Sequence, residues 1–180
     1  MNSFYSQQEL QNIGFRKVGY DVLISRKASL YGTGNMIIGD HVRVDDFCIL
    51  SGSITLGSHI HISAYCGLYG AYGIEMEDYT GLSPRCTVFS ASDDFSGNYL
   101  IGPMVDESLT NVTGGKVLIK RYSQIGAGCV IFPDIVINEG VAVGAMSLVN
   151  KTLNEWGIYT GVPAKKNKDR ERELLKLANK

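Results

Sequence analysis

Beginning at Ile38, an aliphatic residue returns at every sixth position: Ile38, Val44, Leu50, Leu56, Ile62, Leu68 and Ile74. A two-residue slip then resets the phase to Met76, Leu82 and Val88, and after an interruption the step resumes as Ile119, Ile125, Ile131, Ile137, Val143 and Val149. A second series lies four residues beyond the first. It holds mostly small or β-branched side chains, among them Val42, Cys48, Ile54, Cys66, Tyr72, Cys86, Ser92 and Cys129. Six is neither the helical period of 3.6 nor the alternation of a simple strand. It suits a parallel β-helix, in which each hexapeptide supplies a short strand and a corner and three of them close one triangular coil. Stacked coils bury one continuous column, so stability is shared between neighbours.

The ends depart from this pattern. SQQELQN, with Ser6 placed as an N-cap and Gly14 beyond, predicts a short amphipathic helix that caps the first coil. DRERELLKLANK sets Leu174, Leu175 and Ala178 on one helical face and predicts a final helix from about Lys168. The middle departs once. Thirty residues lie between Val88 and Ile119 where the repeat needs five, and the segment FSASDDFSG opens the surplus. A long insertion of this kind is functional or disordered. Its Tyr, Phe, Leu, Ile and Met content argues for a loop folded against a β-helix wall, its own or a neighbour's. The expected organisation is a single domain over 1–180: a cap over 1–19, a β-helix over 20–163 with a loop at about 93–116, and a tail over 164–180.

Composition narrows the function classes. Seventeen basic and 18 acidic residues leave a net charge of −1, which gives no electrostatic footprint for nucleic acid or an anionic membrane. No apolar run reaches the length of a membrane span. The first residues, MNSFYSQQEL, carry neither a basic nor an apolar leader segment, so a cytoplasmic location is expected. All four cysteines fall on the inward second series and read as compact core side chains, not as ligands or disulfides.

The frame LSPRCTVFSASDD, then an excursion, then IGAGCVIFPDIVINEGVAVGAMSLVNK and GVPAK, resembles the hexapeptide-repeat sugar acetyltransferases, a family that includes the galactoside and maltose enzymes. The resemblance is closer still to the polysaccharide-cluster members that acetylate a nucleotide-linked 4-amino-4,6-dideoxy sugar. It covers nearly the whole chain. It implies a mainly β fold, a left-handed parallel β-helix with a loop excursion and a short C-terminal helix; that handedness, an exception to the usual crossover rule, comes from the resemblance alone. It also implies a homotrimer whose clefts hold acetyl-CoA and a sugar or nucleotide-sugar acceptor, with no metal required.

The same resemblance places the chemistry. Where galactoside-type enzymes carry a general-base histidine, this chain has Asp93, followed by Asp94. A hydroxyl needs a strong base, whereas an amine near neutral pH presents a free lone pair and needs orientation and a proton acceptor. The aspartate therefore tilts the expectation towards N-acetylation, with dTDP-4-amino-4,6-dideoxyglucose as the representative acceptor. O-acetylation of a sugar hydroxyl with His61 as base is the rival, and a non-catalytic trimeric scaffold is a third reading. His61 is expected at an outward corner beside Ser63, which aligns with a catalytic-site asparagine; His41 and His59 read as solvated corners. The coenzyme positions carry over to Ala127, Ala145, Asn150, Lys165 and Lys168. Trp156 reads as packing on the last coil.

Overall fold

The computed structural model describes residues 3–178; residues 1, 2, 179 and 180, the outer ends of the expected cap and tail, lie outside the described residues. The chain winds into a parallel β-solenoid of about seven turns with two short helices. Three columns of strands run along it. On the first face Val18, Ile38, Leu56, Met76, Ile119 and Ile137 pair in succession. Ile24, Val44, Ile62, Leu82, Ile125, Val143 and Tyr159 do so on the second. The third carries Leu30, Leu50, Leu68, Val88, Ile131 and Val149. The sixfold series is thus the stacked interior, and nearly all of these side chains are buried. Each buried aliphatic side chain contributes about 1.5–3 kcal/mol.

The corner between the second and third faces places Phe47, Tyr65, Arg85 and Met146 in one column, each with a positive φ near 60°. That backbone is unfavourable for a side chain bearing a Cβ. Coil stacking offsets the cost, as where Phe47 lies on Tyr65 with centroids 5.0 Å apart. Inside this corner the cysteines form a column of their own. Each thiol donates to a carbonyl of the next coil: Cys48 to Ser63 at 3.1 Å, Cys66 to Ser83 at 3.2 Å, Cys86 to Gly126 at 3.1 Å and Cys129 to Gly144 at 3.1 Å. All four are free and buried.

Three details differ from the sequence expectation. Ile74 pairs with Ile54, not Leu56, so the two-residue slip falls earlier, within the corner at 70–73. That insertion throws Tyr72 outward to 50% exposure instead of leaving it in the inward series. The tail is not helical from Lys168: Lys165–Asp169 is a strand that turns back antiparallel on Gly157–Thr160. It pairs the open edge of the last coil and presents a charged row to solvent, which blunts that edge. Among the described residues of the tail, Leu174–Ala178 (α2) is the helical part. At the other end, Gln7–Asn12 (α1) forms as expected, with Ser6 and Glu9 in a reciprocal capping box.

Candidate functional site

The insertion leaves the corner between the third and first faces. Its neck is a two-residue antiparallel ladder, Ala91–Ser92 against Thr113–Gly114. Only glycine fits at 114, because a Cβ there would lie 2.2 Å from the Ser90 carbonyl. Ser90, fully buried, receives a hydrogen bond from the Tyr72 amide at 2.9 Å and donates to the Tyr69 carbonyl at 2.9 Å. The neck is therefore pinned to the preceding coil, and Asp93 is the first residue beyond it.

The two adjacent aspartates have different surroundings. Asp94 is occupied: it accepts from the Ser96 amide at 2.7 Å and from Asn111 Nδ2 at 2.8 Å. Those bonds, Ser96 first, hold its carboxyl below the usual carboxylate range. It ties the two strands of the loop together. The half-buried carboxylate of Asp93 accepts no hydrogen bond from any described residue, and it forms the wall between two cavities. One, of about 350 Å³, is lined by Phe89, Phe95, Phe132 and Pro133. The other, of about 700 Å³, runs under the loop past Tyr69, Glu107, Thr110 and Val112. A partly desolvated carboxylate with free lone pairs between two cavities is suited to hold a ligand N–H.

The second-to-third corner supplies donors. Ala127 and Ala145 are exposed there, one above the other, and the Ala127 carbonyl accepts from the Met146 amide at 2.8 Å. Their own amides reach no backbone acceptor among the described residues, so both N–H groups are available as donors. Gly126 lets the coils approach this closely. Ser63 and Ser83 occupy the same corner in earlier coils, each half-buried. Ser83 carries a sequence signal in its place in the column, directly after inward Leu82, as Ser63 follows Ile62. Asn150 lies at the other end of the third face, exposed. Lys165 and Lys168 stand exposed on the terminal strand, with Lys166 paired to Asp169 at 2.6 Å between them.

His61 is not at a corner. It projects from mid-strand on the second face, between buried Ile60 and Ile62. Its Nε2 meets Asp45 at 2.8 Å, and Arg43 donates to the same carboxylate at 2.7 Å. Burial raises the Asp45 pKa, but the bonds from Arg43 and His61 outweigh it and hold the carboxyl below its usual range. The groove around His61, about 710 Å³, is closed on one side by α2. It shares no lining residue with the Asp93 cavities. His41 and His59 are not merely solvated: His59 stacks between His41 (4.7 Å) and Tyr79 (4.6 Å) along the first-to-second corner. Trp156 is 4% exposed and packs against the Gly140 backbone, as expected.

No family model matches the chain. It is 37% identical over 178 residues to a dTDP-4-amino-4,6-dideoxy-D-glucose acyltransferase from Escherichia coli, across 97% of this chain and 93% of that protein. Among solved structures it superimposes on AntD, an N-acyltransferase from Bacillus cereus. A serine-to-alanine variant of AntD with dTDP-4-amino-4,6-dideoxyglucose and coenzyme A gives a TM-score of 0.98 at 55% identity, over 99% of this chain and 97% of that one. AntD with dTDP and 3-hydroxybutyryl-CoA gives 0.97 at 56% identity, over 99% and 96%. Other AntD structures carry a replaced aspartate ten positions beyond that serine. A maltose O-acetyltransferase from Clostridium difficile shares the fold at 20% identity, with a TM-score of 0.63 over 95% of this chain and 81% of that one.

Proposed function

The chain belongs to the dTDP-4-amino-4,6-dideoxyglucose acyltransferase family, and from that premise we propose that it transfers an acyl group from acyl-CoA to the 4-amino group of that nucleotide sugar, with Asp93 and Ser83 as the working side chains. The observation that carries the assignment is the unpaired Asp93 carboxylate between two cavities. Ser83 and Asp93 also have the spacing of the serine and aspartate replaced in AntD.

The amine needs its lone pair aimed at the thioester carbon. Asp93 accepts one of its N–H bonds and fixes that direction, and it steadies the positive charge that develops on nitrogen. The Ser83 hydroxyl donates to the thioester oxygen as it becomes an oxyanion. The C–N bond forms, the C–S bond breaks, and the proton lost by nitrogen ends on the departing thiolate. The Ala127 and Ala145 amides bind the pantetheine arm, and Lys165 and Lys168 lie where the coenzyme phosphates are neutralised.

Ala127 and Ala145 stand at one corner of the triangle, Asp93 and Asn150 at another. A complete coenzyme site is then assembled from adjacent copies, which supports the homotrimer. The loop supports it too: Met104 is 95% exposed and Leu100 56%, apolar area that a neighbouring β-helix covers. As part of the same proposal, the product, an activated acylamino sugar, feeds surface-polysaccharide assembly in the cytoplasm.

The test is thiol release from acyl-CoA with dTDP-4-amino-4,6-dideoxyglucose. Asp93→Asn is expected to lower kcat about 10²–10⁴-fold and Ser83→Ala about 10²–10³-fold. Equal turnover of the corresponding 4-hydroxy sugar nucleotide, lost in His61→Ala, would overturn the reading in favour of O-acylation.

A further inference from the structure

Asp94 stands next to Asp93 in the chain, yet it lines neither of the cavities that meet at Asp93, and nor does its partner Asn111. The residues flanking Asn111, Thr110 and Val112, line the larger cavity together with Asp93. The bond from Asn111 Nδ2 to the Asp94 carboxylate, at 2.8 Å, therefore joins two sides of that cavity without entering it. The bonds from Ser96 and Asn111 also hold the Asp94 carboxyl below its usual range, which makes it a poor proton acceptor.

The loop is tied in series. Nearest the solenoid is the ladder of Ala91–Ser92 with Thr113–Gly114. It rests on the insertion at 70–73, where Tyr72 donates from its amide to Ser90 and from its hydroxyl to the Val112 carbonyl at 3.4 Å. Farther out, the Leu100 amide donates to the Leu109 carbonyl at 2.9 Å, and Asp106 accepts from the Ser108 amide at 2.9 Å. The Asp94–Asn111 bond lies between these ties. The ladder fixes the chain just before Asp93, and this bond fixes it just after. Without it, Asp93 and the Thr110–Val112 wall both gain backbone freedom, held on one flank by a ladder of two residues.

We propose that Asp94 is a positioning residue, whose bond to Asn111 sets where the Asp93 carboxylate stands against the reacting amine. One aspartate of the adjacent pair touches substrate and the other aims it. The inference rests on the reading of Asp93 in acyl transfer given above. A displacement of about 1 Å in a reacting geometry costs about 10²-fold in rate, so a bond outside the cavity can govern turnover.

The experiment measures kcat, and KM for acyl-CoA, with dTDP-4-amino-4,6-dideoxyglucose as acceptor. The variants are Asp94→Ala, Asp94→Asn, Asn111→Ala, Asp93→Asn, and Asp93→Asn combined with Asp94→Ala. Asp94→Ala should lower kcat by about 10²-fold and Asn111→Ala should lower it in the same direction, both with KM for acyl-CoA unchanged. Asp94→Asn should keep most of the turnover, because a side-chain amide still accepts from the Ser96 amide and can pair with the Asn111 amide. In the Asp93→Asn background, Asp94→Ala should cost little more, since the group it aims is already disabled. A merely structural role would add its full loss there too, so losses that multiply overturn the proposal. An Asp94→Asn loss equal to that of Asp94→Ala also overturns it. Wild-type kcat in Asp93→Asn overturns the reading of Asp93 and this inference with it; a large loss in Asp93→Asn beside wild-type kcat in Asp94→Ala overturns this inference alone.

Discussion

Gly126→Ala tests the link between coil packing and the coenzyme corner. A Cβ at this position would lie 2.6 Å from the Ala145 amide nitrogen, 2.8 Å from the Val143 carbonyl oxygen and 2.9 Å from the Gly144 carbonyl carbon. Ordinary contacts begin at roughly 3.5 Å, so the two coils must part by close to 1 Å. All three neighbours are backbone atoms, and no side chain can swing away. The Gly126 amide bonds to the Val143 carbonyl at 2.7 Å; the same displacement stretches it past hydrogen-bonding range. Overpacking costs about 1–3 kcal/mol and the lost bond about 1 kcal/mol, for a destabilisation of about 2–4 kcal/mol. In a chain of this size that lowers Tm by roughly 5–15 °C. The Ala145 amide moves as well, so KM for acyl-CoA should rise by roughly 2–12-fold, the worth of one neutral hydrogen bond. Thermal denaturation and steady-state kinetics read the two effects. Gly34→Ala is the control: nothing lies within 4 Å of its Cβ, and it should change stability by less than about 0.5 kcal/mol. A Tm within 2 °C of wild type together with an unchanged KM for Gly126→Ala would refute the reasoning.

Two further predictions concern the ends of the solenoid. Hydrogen bonds from Arg26 and then Ser6 lower the Glu9 pKa from 4.5 to about 2; because the folded value is the depressed one, the contribution of this group is complete above pH 4.5 and is lost as pH falls through about 2. Amide exchange at Leu10 and Ile13 should accelerate across that window, and Glu9→Gln should remove the acid-dependent part; the same profile in both proteins would contradict the assignment. Arg170 donates from one nitrogen to the Tyr122 carbonyl at 2.7 Å and the Gly140 carbonyl at 3.1 Å, so Arg170→Ala should cost about 1–3 kcal/mol in denaturant unfolding, and Arg170→Lys, whose ammonium keeps donors for both carbonyls, should restore part of it.

Much of this was legible along the chain because a solenoid makes a local pattern into a global one. Ile38, Leu56 and Ile137 recur in phase and therefore stack, with no long-range pairing to be guessed. The cysteines were readable for the same reason: their phase put them inside. Where phase was lost, reading failed. The insertion at 70–73 sits in a corner, and nothing local says whether the extra two residues precede Ile74 or follow it. The tail pattern of Leu174, Leu175 and Ala178 does form a helix, but Lys165–Asp169 is a strand because an unpaired edge of the last coil lies beside it. Local propensity does not register such an edge.

At the site the same division holds. The sequence by itself determined the β-helix and the point where it is interrupted. Each of these is carried by residues adjacent in the chain or separated by a fixed step. It did not separate Asp93 from Asp94, which are neighbours of one type; only the fold, by folding Asn111 back onto Asp94 and leaving Asp93 between two cavities, gave them different surroundings. Nor did it pair His61 with Asp45 on another face. Those relations depend on which coil lies against which, and on how far a loop of some 25 residues reaches. Tertiary packing decides both, because the energy that fixes them comes from contacts between segments remote in sequence.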